Sequence, residues 1–359
     1  MSLSFRPAAG ILGLGTALPP TVRTNDFWSG PLAPRARPGD LLDLGGGVPG
    51  EVARQIAALR ADPFGGARLR HVLRDGELTS DLEVEAGRRA MADAGLEAAD
   101  IDTLITFSLT RDMILPSNAP AVQAKLDLPH VFGMCLDVVC ASSVTAASVA
   151  AAQVMAGFSR NVLCVFSSGA SRTVDPAHPN APAFGDGASA FVIGPVPEGF
   201  GVLGRYGRTE GRFRDAVVDA PYVDGQPQRE WHRAAGPIRV GTFDLELARE
   251  SGRAQMAFCR EACEGALAQA GLTLADVDFF FGHQTTGWLN AALAESLGIG
   301  PDKTLHTFDE VANLGSANMP FNLHRAVKSG RVRHGDVVLA YAPGAGITAT
   351  SVVLRWHSP

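Results

Sequence analysis

Cys140 closes an apolar stretch, Met134–Val139, and opens a run of small residues, ASSVTAASVAAAQVMAG, whose composition predicts a helix. A thiol at a helix N-terminus meets unpaired backbone N–H groups and the positive end of the dipole. Both lower its pKa and favour the nucleophilic thiolate. Ser142 and Ser143 follow as N-terminal capping residues. Two other groups suit the same chemistry: His283, ending FFFGH, and Asn313, inside ANLGSANMP. A thiol, an imidazole and a carboxamide in one pocket are a working set for acyl transfer through an enzyme-bound thioester. The thiol attacks a donor thioester. The imidazole Nε2 and the carboxamide can donate hydrogen bonds to the enolate oxygen formed when a malonyl group loses carbon dioxide. The turn APGAGITATS, Ala342 to Ser351, brings bare backbone close, and the Gly346 and Cys140 N–H groups would form an oxyanion hole.

Each residue taken singly has a blander reading. A cysteine after an apolar strand is more often inert core, a lone histidine a satisfied imidazole, and an asparagine before a helix its cap. Their placement within an internal repeat is what sets them apart. AGLEAADIDTLITF at Ala94 matches AGLTLADVDFFFGH at Ala270, an offset of 176, and NVLCVFSSGA at Asn161 matches DVVLAYAPGA at Asp336, an offset of 175. Adding 175 to position 140 lands at Gly315, so Asn313 lies at the matching junction of the second copy, and His283 pairs with Phe107 at the end of a neighbouring strand. In a two-fold duplicated fold, these strand ends converge on one pocket.

The scaffold follows from the same repeat. Short apolar runs (Leu104–Phe107, Val162–Phe166, Phe279–Phe281, Val337–Tyr341) alternate with Ala-rich helical segments, predicting strands buried on both faces in parallel-rich sheets covered by helices. The expected organisation is an N-terminal half over 1–196, a bridging or capping insertion over 197–250 and a C-terminal half over 251–359. Ser29–Gly66 has no counterpart in the second half and reads as a loop region that shapes a pocket, with a disordered excursion as the alternative. At 359 residues, with 46% hydrophobic and 19% charged residues, the chain has the makings of large buried cores. The net charge of -6 gives no reason to expect nucleic acid or an anionic membrane as partner. No signal peptide or bilayer-spanning run is read, so the expected location is cytoplasmic. Cys135, Cys164, Cys259 and Cys263 read as reduced core thiols, and no zinc spacing, phosphate loop or dinucleotide fingerprint is found. No metal and no cofactor is expected.

DVVCASSVTAA, SRTVDP with FGDGASAFVI, HQTTGWL after His283, ANLGSANMP and the final APGAGITATSVVLRW resemble the β-ketoacyl-acyl-carrier-protein synthase III family and its secondary-metabolism relatives, in order and over nearly the whole chain. The resemblance implies a thiolase-like α/β fold, a duplicated unit in five αβαβα layers. It implies Cys140 as acyl-accepting nucleophile, His283 and Asn313 as the decarboxylation pair, and Gly346 as an oxyanion donor. It further implies coenzyme A or phosphopantetheine thioesters as substrates, an acyl-CoA or acyl carrier protein partner, and a homodimer. Leu115, with Met113 beside it, would reach across the dimer to floor the partner's acyl pocket, and Arg172 would lie near the coenzyme A adenine. The sequence departs from the family where an Asp-Glu-Trp-Ile segment is missing, where Thr285–Thr286 replace Ala-Asn, and where Trp288 replaces a carrier-docking arginine. These departures point to a specialised donor, acceptor or carrier. Decarboxylative condensation is the leading expectation. Acyl transfer to an alcohol or amine, and a non-catalytic subunit role, are the alternatives.

Overall fold

The computed structural model describes residues 8–29, 57, 61–178 and 180–358. Most of the 29–66 stretch therefore lies outside the described residues. The first half contains β1 (Ala8–Ala17), β2 (Thr21–Thr24), β3 (Leu69–Val72), α1 (Thr79–Asp93), β4 (Thr103–Ser108), α2 (Ala119–Lys125), β5 (Phe132–Cys135), α3 (Ser142–Ala156), β6 (Val162–Gly169) and β7 (Asp186–Val196). The second contains β8 (Gly201–Thr209), β9 (Val218–Val223), β10 (Gln226–Pro227), β11 (Ile238–Gly241), α4 (Leu245–Arg253), α5 (Gln255–Gln269), β12 (Phe279–Gly282), α6 (Leu289–Ser296), α7 (Phe308–Val311), α8 (Asn318–Lys328), β13 (Val337–Gly344) and β14 (Thr348–Arg355).

The duplication is visible in the strand order. One sheet runs β1-β7-β6-β4-β5 and the other β8-β14-β13-β12, so β8, β12, β13 and β14 repeat β1, β4, β6 and β7. Both are mixed sheets, which corrects the parallel-rich expectation. β4 pairs parallel with β5 and β6, and β12 parallel with β13, but β7, β1, β14 and β8 are all joined antiparallel. A strand covered on both faces is a continuous apolar run in either orientation, so the run alone does not fix direction.

Alternation along each strand assigns its two faces. In β6, Val162, Cys164 and Phe166 enter the central core, while Leu163 and Val165 face α1. In β13, Val338, Ala340 and Ala342 point to that same central core, and Val337, Leu339 and Tyr341 to the α5 side. The centre is filled by α3, whose Val144, Ala146, Ala147, Ala150, Ala151 and Val154 are buried. Alanines on every side let one helix touch both sheets, and with α8 beside it this gives five layers: α1, sheet, α3 and α8, sheet, α5. Among the described residues, Val139–Ala156 is long and apolar enough to cross a bilayer by length and composition, yet it is this central helix. Gly13 and Gly15 also serve packing. A Cβ at Gly15 would lie 2.1 Å from Ala86 O and one at Gly13 2.4 Å from Ala94 N, so these glycines seat α1 on β1.

Two boundaries differ from expectation. β8 pairs with β14 over Gly201–Thr209, so the intervening segment is narrower than 197–250 and spans 210–244, where β9, β10 and β11 form a small sheet of their own. The many glycines and arginines of β8 hide an edge strand that pairs with β14 alone among the described residues. The strand expected over Met134–Val139 ends at Cys135, because residues 139–141 are drawn into a tight turn.

Candidate active site

The turn that carries Cys140 is strained. Val139, a β-branched residue, has φ 51°, a conformation costing about 1–3 kcal/mol that persists only where the surroundings impose it. Ser142 Oγ holds the turn by accepting from Val138 N at 2.9 Å and donating to Val139 O at 2.8 Å. At the α3 N-terminus the cap comes from the other half of the molecule: Ser143 N–H donates to Ser316 Oγ at 2.8 Å, both buried. Ser142 thus braces the turn, and Ser316, missed by sequence reasoning, does the capping.

The Cys140 thiol does not have the lowered pKa that a helix N-terminus suggests. Burial first, then the Asp219 carboxylate, push it up to about 12, against a smaller opposing effect of a backbone N–H. Burial of the thiolate and the nearby carboxylate outweigh the backbone N–H, so the resting Cys140 side chain is the neutral thiol. Asp219, on β9, keeps solvent access, accepts no hydrogen bond among the described residues, and has its own pKa raised by burial.

His283 follows β12 and is 3% exposed. Its backbone N–H donates to Tyr341 O at 3.0 Å, tying it to β13. Burial holds the imidazole neutral, with a pKa lowered to about 4, and its Nε2 has no hydrogen-bond partner among the described residues. The Thr285 and Thr286 hydroxyls likewise find no partner among the described residues. Unpaired buried polar atoms cost free energy, and such a set beside a neutral imidazole is what a polar substrate would satisfy.

Asn313 is 5% exposed and is gripped through its backbone: Asn313 N donates to Ala183 O at 2.9 Å and Gly185 N to Asn313 O at 3.1 Å. Gly185 is required for this approach, because a Cβ there would lie 2.3 Å from Val311 O. The side-chain oxygen accepts from Gly315 N and from Asn318 Nδ2, each at 2.8 Å. The amide is therefore oriented, with Nδ2 on the unengaged side. Gln284, next to His283, spans the gap: its Nε2 donates to Ala312 O at 3.1 Å and its Oε1 accepts from Asn322 Nδ2 at 2.9 Å. Hydrogen bonds thus link the His283, Asn313 and Cys140 segments through Gln284, Asn318 and Ser316.

Gly346 lies in the β13–β14 turn at φ 75°, and a Cβ there would face Arg214 Cα at 3.6 Å. The close approach to the Cys140 turn belongs to Gly344, where a Cβ would lie 2.3 Å from Val138 O. Met113 and Leu115 are 55% and 84% exposed, with Ile114 between them at 71%. Arg172 donates to the backbone carbonyls of Arg74 and Glu77 and lines an open cleft of about 590 Å³ with Arg23, Asp75 and Leu78. Trp288 corrects an expectation. It is 1% exposed and packs with Phe213, Phe280 and Leu289, so it belongs to the second core and not to a docking face. An arginine there would bury a cation. Cys135 is half-buried at a strand end, 3.8 Å from Arg111 Nη2, whereas Cys164, Cys259 and Cys263 are core as expected.

A five-layer duplicated α/β fold is the architecture of thiolase-like enzymes, and here it carries a cysteine, a histidine and an asparagine on segments joined by the Gln284, Asn318 and Ser316 hydrogen bonds. Residues 136–211 match the 3-oxoacyl-(acyl-carrier-protein) synthase III family, and residues 267–356 its C-terminal domain. β-Ketoacyl-(acyl-carrier-protein) synthase III of Cereibacter sphaeroides is 34% identical over 299 residues, 81% of this chain and 88% of its own length. Among solved structures, 3-oxoacyl-(acyl carrier protein) synthase III from Pseudomonas aeruginosa aligns with a TM-score of 0.78 at 26% identity, covering 98% of this chain and 99% of the other. A priming β-ketosynthase of a polyketide biosynthetic pathway shares the fold, with a TM-score of 0.81 at 23% identity over 100% and 99% of the two chains. The chain belongs to the β-ketoacyl-acyl-carrier-protein synthase III family of acyltransferases.

Proposed function

We propose that the enzyme takes an acyl group from an acyl-CoA or acyl carrier protein thioester onto Cys140 and condenses it, with loss of carbon dioxide, with a malonyl-type thioester in specialised polyketide or related biosynthesis. The observation that carries this reading is the buried, neutral His283, whose Nε2 has no partner among the described residues, on a segment joined through Asn318 to an Asn313 amide whose oxygen is already engaged. Both groups can donate to an oxygen that bears charge only after decarboxylation. In the first step Cys140 Sγ bonds to the donor carbonyl carbon, the donor thiolate leaves, and the thiol proton passes to it, so the exchange is neutral overall. This suits a thiol whose pKa stands near 12. In the second, the malonyl carboxylate departs as carbon dioxide and its electron pair becomes an enolate. His283 and Asn313 stabilise the enolate oxygen. The enolate carbon then attacks the acyl carbonyl and expels the Cys140 thiolate, which takes up a proton.

Support for a homodimer comes from the apolar Met113–Leu115 tip, too exposed to stand alone in water. A cytoplasmic location accords with coenzyme A and carrier-protein substrates. Acyl transfer to an alcohol or amine without decarboxylation gains from the unpartnered Asp219 carboxylate, which could accept the acceptor's proton. Intact-mass spectrometry with a panel of acyl thioesters, followed by release of carbon dioxide from malonyl-CoA, separates the readings. We expect an acyl adduct on the native enzyme, none on Cys140→Ala with an unchanged fold, and decarboxylation by the native enzyme. Transfer to an alcohol or amine with no carbon dioxide release would replace condensation by the second reading.

A further inference from the structure

We propose that Asn318 is a positioning residue: it fixes which face of the Asn313 carboxamide meets the substrate, and through Asn313 it governs the malonyl half-reaction. This rests on the condensing reading of the site. Asn318 opens α8 and is 1% exposed. All its polar valences are used: Oδ1 accepts from Leu314 N at 2.9 Å and Gln284 Nε2 at 3.4 Å, while Nδ2 donates to Asn313 Oδ1 at 2.8 Å and Gln284 O at 3.4 Å. Its own orientation is set by the Leu314 backbone N–H, which cannot reverse. Its Nδ2 must therefore face Asn313 and hold the Asn313 oxygen together with Gly315 N–H. The same Nδ2 reaches the carbonyl of the residue after His283, so one side chain registers both enolate-binding groups. The preceding Ala312, at φ 58° and ψ −148°, is in a conformation an L-residue rarely adopts, and strain of that kind accompanies segments held in one arrangement for function.

Replacing Asn318 by aspartate puts an acceptor where the donor stood. A charge-assisted hydrogen bond is roughly twice as strong as a neutral one, so the Asn313 amide turns its Nδ2 to the new carboxylate and abandons Gly315 N–H. Its oxygen then faces the enolate. The test is malonyl-CoA decarboxylation by the full-length native enzyme, Asn318→Asp, Asn318→Ala, Asn313→Ala and the Asn313→Ala, Asn318→Asp double variant, alongside Cys140 acylation and thermal midpoints. We expect Asn318→Asp to lower kcat by about 10²-fold, the size of loss seen when one donor is removed from an oxyanion site, with KM and acylation held within about threefold. Asn318→Ala, which adds no buried charge, should lose about tenfold and decides the matter if the aspartate variant does not fold. In the Asn313→Ala background Asn318→Asp should cost nothing more. Native-like decarboxylation in both single variants, or an equal further loss in the double variant, overturns the role of Asn318 alone. Absence of decarboxylation in the native enzyme overturns the condensing reading and this inference with it.

Discussion

At the scale of single residues, the site is built on groups kept uncharged. His283 is neutral because burial lowers its pKa, and Cys140 is neutral because the thiolate would be desolvated beside Asp219. A resting thiol resists oxidation and stray alkylation, and it exchanges with a thioester without leaving a net charge in the pocket. Asp219 is the group that can be removed without disturbing packing, since it makes no hydrogen bond among the described residues and keeps solvent access. A nearby carboxylate raises a thiol pKa, so Asp219→Asn should lower that of Cys140 and increase the thiolate fraction at any pH below it. Alkylation of Cys140 by iodoacetamide at pH 8 should become severalfold faster, and its pH profile should move to lower pH. An unchanged profile would mean that Asp219 does not act on the thiol.

At the scale of elements, the internal repeat makes most of the fold legible in the amino-acid sequence. The paired segments at Ala94 and Ala270 become the turns leading into β4 and β12, and those at Asn161 and Asp336 become β6 and β13. The offset that sets Cys140 against the 313–315 junction pairs two segments that the Ser143–Ser316 hydrogen bond joins in the fold. Cross-half bonds are not legible in this way. Ser316 capping Ser143 and Asn318 orienting Asn313 depend on how two junctions face each other, which spacing within one junction does not encode. Trp288 misleads because a motif position fixes sequence order but not which face of a helix start looks inward. The glycine turn shows the same limit. Its motif points to Gly346, yet Gly344 is where backbone meets backbone. Gly344→Ala should push Val138, and with it the Cys140 turn, and cost about 1–3 kcal/mol together with most Cys140 acylation, because neither contacting atom is a side-chain tip that can swing away. Gly346→Ala meets nothing closer than 3.6 Å among the described residues and should cost only the strain of its φ, about 1 kcal/mol. Urea unfolding and acyl-adduct formation measure both. Equal damage from the two changes would refute the assignment of the close contact to Gly344.

At the scale of the whole molecule, two buried titrating groups pull stability in opposite directions with pH. His283 has a folded pKa of about 4 against an ordinary 6.5, so between those values the unfolded chain binds more protons and stability rises with pH. Glu83, on α1, is the counterweight. It is fully buried behind β4 and β6, accepting from Ser108 Oγ, from Ser167 Oγ at 2.7 Å and from Asn118 Nδ2 at 3.0 Å, and burial raises its pKa from 4.5 to about 7 despite those bonds. Asp112, nearby, adds to the shift. Between about 4.5 and 7 the folded protein therefore holds a proton that the unfolded chain releases, and stability falls as pH rises. Each group has a limiting slope of about 1.4 kcal/mol per pH unit, so the two nearly cancel from 4.5 to 6.5. Glu83→Gln removes one side of that balance while keeping the shape of the side chain. Comparing native and variant leaves every other titrating group common to both, so the difference isolates Glu83. Relative to the variant, the native protein should lose on the order of 3 kcal/mol between pH 4.5 and 7 and nothing further above that range. Urea midpoints at pH 5, 6, 7 and 8 give the difference curve. A difference constant across this range would show that Glu83 is ionised in the fold throughout, with Ser108, Ser167 and Asn118 together outweighing the burial of its charge.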